Sequence, residues 1–121
     1  MAMLAVPDPS ELLRDLKTRL SAGAVALVSR DGEVVRGELP REAFAETFAI
    51  MCATVFAAAS AAHLELGRAA PVRVVVGAGD ATTVIVPSGP ARLLVVVAGP
   101  ATDPARLVRD VERARERLLA G

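Results

Sequence analysis

The sequence predicts an α/β (α+β) fold of element order αββαβββα, with one five-stranded antiparallel sheet and three helices packed on it. Three observations lead there. Asp8-Pro9 and Asp103-Pro104 each open an amphipathic helical stretch. Five short runs rich in β-branched residues are separated by Gly, Pro and Asp breakers, and the short hairpin connections within 24–38 and within 71–99 favour antiparallel pairing. Between them lies a long stretch that carries no formal charge from Glu46 to Glu65. A chain of 121 residues suits one domain, 1–121, with a thin but real core.

The first helix is announced by "DPSELLRDLKTRL". Asp8 caps it, Pro9 suits the first helical position, and Leu12, Leu13, Leu16 and Leu20 recur at helical spacing. Strand-like runs at 24–30 and 33–38 flank Asp31-Gly32, a strong hairpin signal because such turns want positive φ. Pro40 ends the second strand, and the long helix is expected to start near Arg41 and end before Gly67. Further strands are expected at 71–78, 82–87 and 91–99, broken by Gly79-Asp80 and "SGP". Asp103 caps the last helix, whose apolar face is Leu107, Val111, Ala114 and Leu118.

Composition excludes several functions. Fourteen basic residues balance fourteen acidic ones, so no net field draws nucleic acid or an anionic membrane. Tryptophan and tyrosine are absent and the three phenylalanines, Phe44, Phe48 and Phe56, all lie in the long helix, so no base-stacking platform exists. Cys52 is the sole cysteine, which rules out an intrachain disulfide and a Cys-based metal cluster. The start "MAMLAVPDPS" lacks the basic region of a signal peptide, and a cytoplasmic location is expected. The long helix meets the length of a membrane span, about 20 residues, but its alanines, Thr47, Thr54, Ser60 and His63 argue against one.

No constellation for bond-making chemistry is visible, and neither a cofactor nor a metal is expected. His63 is the only histidine and has no partner in sequence. Ser29, Arg30 and Asp31 sit at a hairpin mouth, where turn chemistry accounts for them. "GAGDATT" (77–83) lacks both the GxGxxG spacing and a Walker lysine, and a turn explains it better. Cys52 has no cation near it to lower its pKa.

The long helix poses the functional question, because a surface helix normally carries a polar stripe. On a wheel of 100° per residue, Phe44, Phe48, Met51, Val55, Ala62 and Leu66 fall within about 60° of arc, and this bulky stripe is expected on the chain's own sheet. Ala45, Ala49, Ala53, Ala57 and Ala61 follow one another at i+4 beside Phe56 and Ser60. Such a small-residue row admits a second helix closely. The strand after Pro71 is apolar on both faces and would invite pairing at a sheet edge. A homodimer covers both features, with contacts expected at Ala45, Ala49, Ala53, Phe56, Ala57 and Ser60 and at Val72, Val74 and Val76.

The stretch "AGAVALVSRDGEVVRGELPREAFAETFAIMCATVFAAASAAHLELG" resembles the front half of roadblock/dynein light-chain domains, in which a D-G hairpin leads to a long alanine-rich helix ending "ELG". "VRVVVGAGDATTVIVPSGPARLLVVVAG" is similar to their following three strands, and the resemblance spans roughly residues 10–119. Many members open the last helix with an Asn-Leu-Gly-like segment where this chain has "TDPARL". The resemblance implies a roadblock-like, profilin-like domain with helices on both sheet faces and a homodimer with paired edge strands. It also implies a non-enzymatic adaptor or regulator of a Ras-like small GTPase, with activation of that GTPase as one form of regulation. Glu46, Ile50, His63 and Glu65 are the residues expected to meet the GTPase. The alternative is a small-molecule-sensing module with an apolar pocket, whose polar groups would be Thr54 and Ser60.

Overall fold

The computed structural model describes residues 8–120. The N-terminal stretch considered above as a possible signal peptide lies largely outside them. In chain order the elements are α1 (Pro9–Leu20), β1 (Ala22–Ser29), β2 (Val34–Glu38), α2 (Ala45–Glu65), β3 (Val74–Gly77), β4 (Thr82–Pro87), β5 (Arg92–Ala98) and α3 (Pro104–Ala120). That is the expected αββαβββα order.

The five strands form one sheet in the order β2-β1-β5-β4-β3, and every neighbouring pair is antiparallel. The pleat sends alternate side chains to opposite faces. Val25, Leu27, Val84, Val86, Leu94 and Val96 meet α1 and α3 on one face. Ala26, Val28, Ile85, Leu93 and Val95 lie under α2 on the other. The central strands are thus buried on both sides, which is why they read as unbroken apolar runs.

Both Asp-Pro starts work as expected. Asp8 accepts the Ser10 amide at 3.3 Å and Asp103 accepts the Arg106 amide at 3.1 Å, each cap contributing about 1 kcal/mol. At the α1 exit Ser21, not a glycine, takes the left-handed conformation at φ 48°. The D-G hairpin forms, but with one positive φ rather than two, since Gly32 has φ 95° and Asp31 does not share it. The Gly32 amide donates to the Ser29 carbonyl at 3.0 Å, and the Glu33 amide to Ser29 Oγ at 3.0 Å. This is a three-residue loop with glycine in its left-handed position, a geometry that also matches strand twist.

Helix α2 begins at Ala45, four residues later than predicted, behind Phe44, which has no side-chain cap. Its end is as expected. Gly67, at φ 67°, donates to the Leu64 carbonyl, and the Arg68 amide reaches the His63 carbonyl at 2.9 Å. The two bonds form a Schellman motif. Strand β3 is shorter than predicted, and an Arg73–Glu112 ion pair of 3.0 Å ties the segment before it to α3.

The orientation of α2 corrects the sequence reading. Ala49, Cys52, Ala53 and Phe56 are the buried residues, packed on β1, β4 and β5. The bulky stripe expected on the core faces outward instead: Phe44 is 82% exposed and Leu66 76%, with Met51 and Val55 also exposed and Phe48 half-buried. Alanines let the helix axis settle close to the sheet, where one large side chain, Phe56, fills the remaining space. A helix apolar all round has two candidate inner faces, and close packing selects the small one.

Candidate interaction surface

Three structural features bound the surface. The first is the outer face of α2, where Phe44, Ile50, Met51, Val55, Leu64 and Leu66 are all exposed. From Ala61 to Ala70 every residue is exposed, so the last turns of α2 overhang their own protomer. This is also the one helix, among the described residues, long and apolar enough to cross a membrane.

The second feature is the β3 edge. Val74 pairs with Ile85 and Val75 with Val84, so Val74 and Val76 lie on the α2 face and Val75 on the other. Val75 and Val76 are exposed, and no charge interrupts Val74–Gly77. The opposite edge, β2, carries Arg36 and Glu38 with a register shift against β1. Charges and bulges block edge pairing, so one edge is protected and the other is open. The axis of α2 lies closest to β1 and β2 and its buried side chains reach β4 and β5, leaving exposed Val76 and half-buried Thr83 and Val97 as a bare strip beside it.

The third feature is a groove of about 650 Å³ between the β1–β2 turn and the start of α2. Asp31, Glu33 and Glu46 line it together with the apolar Val34 and Ile50.

Sequence-predicted residues divide accordingly. Ala49, Ala53 and Phe56 are buried within the protomer and do not face a partner, a correction that follows from the orientation of α2. Ala45, Ser60 and Val74 are half-buried, whereas Ala57, Val72 and Val76 are exposed. Glu46, Ile50, His63 and Glu65 are all exposed, but not as one cluster. Glu46 and Glu65 are nineteen positions apart, about 28 Å along the axis at the helical rise. Glu46 and Ile50 meet at the groove, while His63 is at the far end with Nδ1 3.0 Å from the Ala69 carbonyl. Sequence reasoning missed Asp31 and Glu33 as groove residues. Their only sequence signal was their place beside the Asp31-Gly32 turn.

Residues considered for chemistry have structural roles. Ser29 Oγ accepts within its turn, and the Arg30 guanidinium lies 5.3 Å above the Phe56 ring, a cation–π contact. Burial pushes the Cys52 thiol up from 9.0 to about 11, so it stays protonated and inert at neutral pH. The pocket reading loses both of its polar groups. Thr54 Oγ1 donates to the Ile50 carbonyl at 2.7 Å and Ser60 Oγ to the Phe56 carbonyl at 2.9 Å. Among the described residues no group of three or more His, Cys, Asp or Glu side chains could hold a metal ion.

A five-stranded antiparallel sheet with two helices on one face and a long apolar helix on the other is the roadblock-like and profilin-like α+β fold. Residues 10–98 match the Roadblock/LC7 domain family, and the chain belongs to that family. Among solved structures it is similar to MglB of Myxococcus xanthus, with a TM-score of 0.87 and 16% identity over 93% of this chain and 92% of that one. It is also similar to the gliding protein MglB of Thermus thermophilus, with a TM-score of 0.83 and 22% identity over 98% and 94%. A Roadblock/LC7 domain from Streptomyces avermitilis gives a TM-score of 0.82 and 21% identity over 91% and 93%. At these identities the likeness is one of fold. No curated protein matches the sequence.

Proposed function

We propose that this roadblock domain acts in the cytoplasm as a homodimeric, non-enzymatic regulator of a Ras-like small GTPase. The observation that carries the proposal is the pairing of an open valine edge at β3 with an uncovered apolar helix on the same side of the sheet. A second copy joined at β3 extends the sheet and lays its own α2 over the bare strip beside the first. Such an assembly buries an area of standard size, about 1,200–2,000 Å². One of the similar solved structures is described as MglB with a tetrameric arrangement, which supports self-association as a habit of this fold.

The regulatory role rests on family membership together with the surface itself. The paired helices form a broad platform, and the side chains on it suit binding rather than proton transfer or nucleophilic attack. Light scattering at low micromolar concentration tests the dimer, and a clean monomer overturns it. A pull-down against a Ras-like small GTPase from the same organism, loaded with GTP or GDP, tests the partner. Equal recovery by wild type and by a Glu46→Arg/Glu65→Arg variant removes the helix platform from the binding site.

A further inference from the structure

We propose that the groove between the β1–β2 turn and the start of α2 docks a basic, extended segment of a partner protein. An aliphatic side chain of that segment sits on Ile50, and flanking Arg or Lys side chains meet Asp31, Glu33 and Glu46. The proposal deepens the regulator reading, on which the choice of a protein partner rests, by stating the chemistry of the segment that binds.

Charge is the first support. Asp31, Glu33 and Glu46 are exposed, and among the described residues none of them takes part in an ion pair. The neighbouring cation is occupied elsewhere, because the Arg30 guanidinium lies over Phe56. On a chain of zero net charge the groove holds three carboxylates that no ion pair neutralises. Glu46 stands in the first turn of α2.

Shape is the second support. The three carboxylates do not converge as a metal site would. Carboxylates that line one groove without converging fit separate cationic side chains on a polypeptide better than one compact ion. Ile50, which lines the same groove, is 46% exposed, an apolar surface without a cover. The walls are already in place, since the buried Gly32 holds the turn against Ile50, with no room for even a Cβ between them. A preformed groove binds with little ordering cost of its own. It also lies at the turn end of β1 and β2, across the sheet from the β3 edge.

The test uses the full chain, ¹⁵N-labelled, titrated with the capped peptide Ac-Arg-Leu-Arg-Leu-Arg-NH₂ and with its glutamate counterpart. The basic peptide is expected to shift amides in Asp31–Val34 and Ala45–Ile50, with binding that weakens as salt is raised. The acidic peptide is expected to leave them unmoved. The triple variant Asp31→Asn/Glu33→Gln/Glu46→Gln, all at exposed positions, is expected to bind the basic peptide about tenfold more weakly while keeping its unfolding midpoint. Shifts of equal size with both peptides, shifts elsewhere, or unchanged affinity in the triple variant overturn the groove proposal. A chain that binds the basic peptide in the groove yet recovers no GTPase upholds the groove and refutes the GTPase reading.

Discussion

Ile50 of α2 rests directly on Gly32 of the β1–β2 turn. A Cβ built on Gly32 would lie 2.8 Å from Ile50 Cγ1, closer than real Cβ contacts come, and 3.1 Å from Ile50 Cα. Gly32 also has φ 95°, where any other residue is strained. Turn and helix thus hold each other, and the groove wall is one consequence.

Gly32→Ala is accordingly expected to destabilise the protomer by about 1–3 kcal/mol, from backbone strain and the contact together. Denaturant unfolding measures it. Adding Ile50→Ala should return only part of the loss, because the Ile50 backbone is also close. Full recovery in the double variant would mean that the side chain alone sets the fit.

The orientation of α2 makes opposite predictions for its two apolar faces. Ala49→Leu, beneath the helix, is expected to overpack the contact with β1 and β5 and cost about 1–3 kcal/mol. Met51→Glu and Val55→Glu, on the outer face, should leave the protomer folded by circular dichroism while reducing self-association in light scattering. A Met51→Glu protein that unfolds would return the bulky stripe to the core.

The β3 edge offers a direct test of assembly. Val76→Lys places a charge on an exposed edge position, a device that natural edges use against pairing. The variant is expected to sediment as a folded monomer. An Arg36→Val change on the opposite edge should not alter the wild-type oligomeric state, because that strand retains Glu38 and its register shift against β1.

Cys52 predicts a pH dependence of definite sign. Its thiol is held protonated by burial, with a folded pKa of about 11 against 9.0 in the open chain. Below pH 9 both states keep the proton and stability is unaffected. As pH rises from 9 towards 11 the unfolded chain releases its proton first, so stability falls through that window. With no tyrosine and Lys17 as the only lysine, few other side chains titrate there. Cys52→Ala is expected to lose this decline, whatever constant offset the substitution brings. Parallel slopes for the two proteins would sink the assignment.

Element order was legible from the sequence because each element carries its own local signal. Asp8 and Asp103 cap helices by bonds within three residues, Gly67 closes a Schellman motif, and β-branched runs end at Gly and Pro. The protomer contacts of α2 were not legible. Its residues are apolar on every side, so periodicity could not tell the face that packs from the face that waits for a partner. Local sequence dictated the strands, the helices and the presence of an unusually apolar helix. Packing in three dimensions turned Ala49, Ala53 and Phe56 inward, left β3 rather than β2 as the open edge, and stood Asp31 and Glu33 beside Glu46. Those outcomes depend on how closely a helix axis can approach a sheet and on which strands end as neighbours. Both are properties of contacts between residues far apart in the chain.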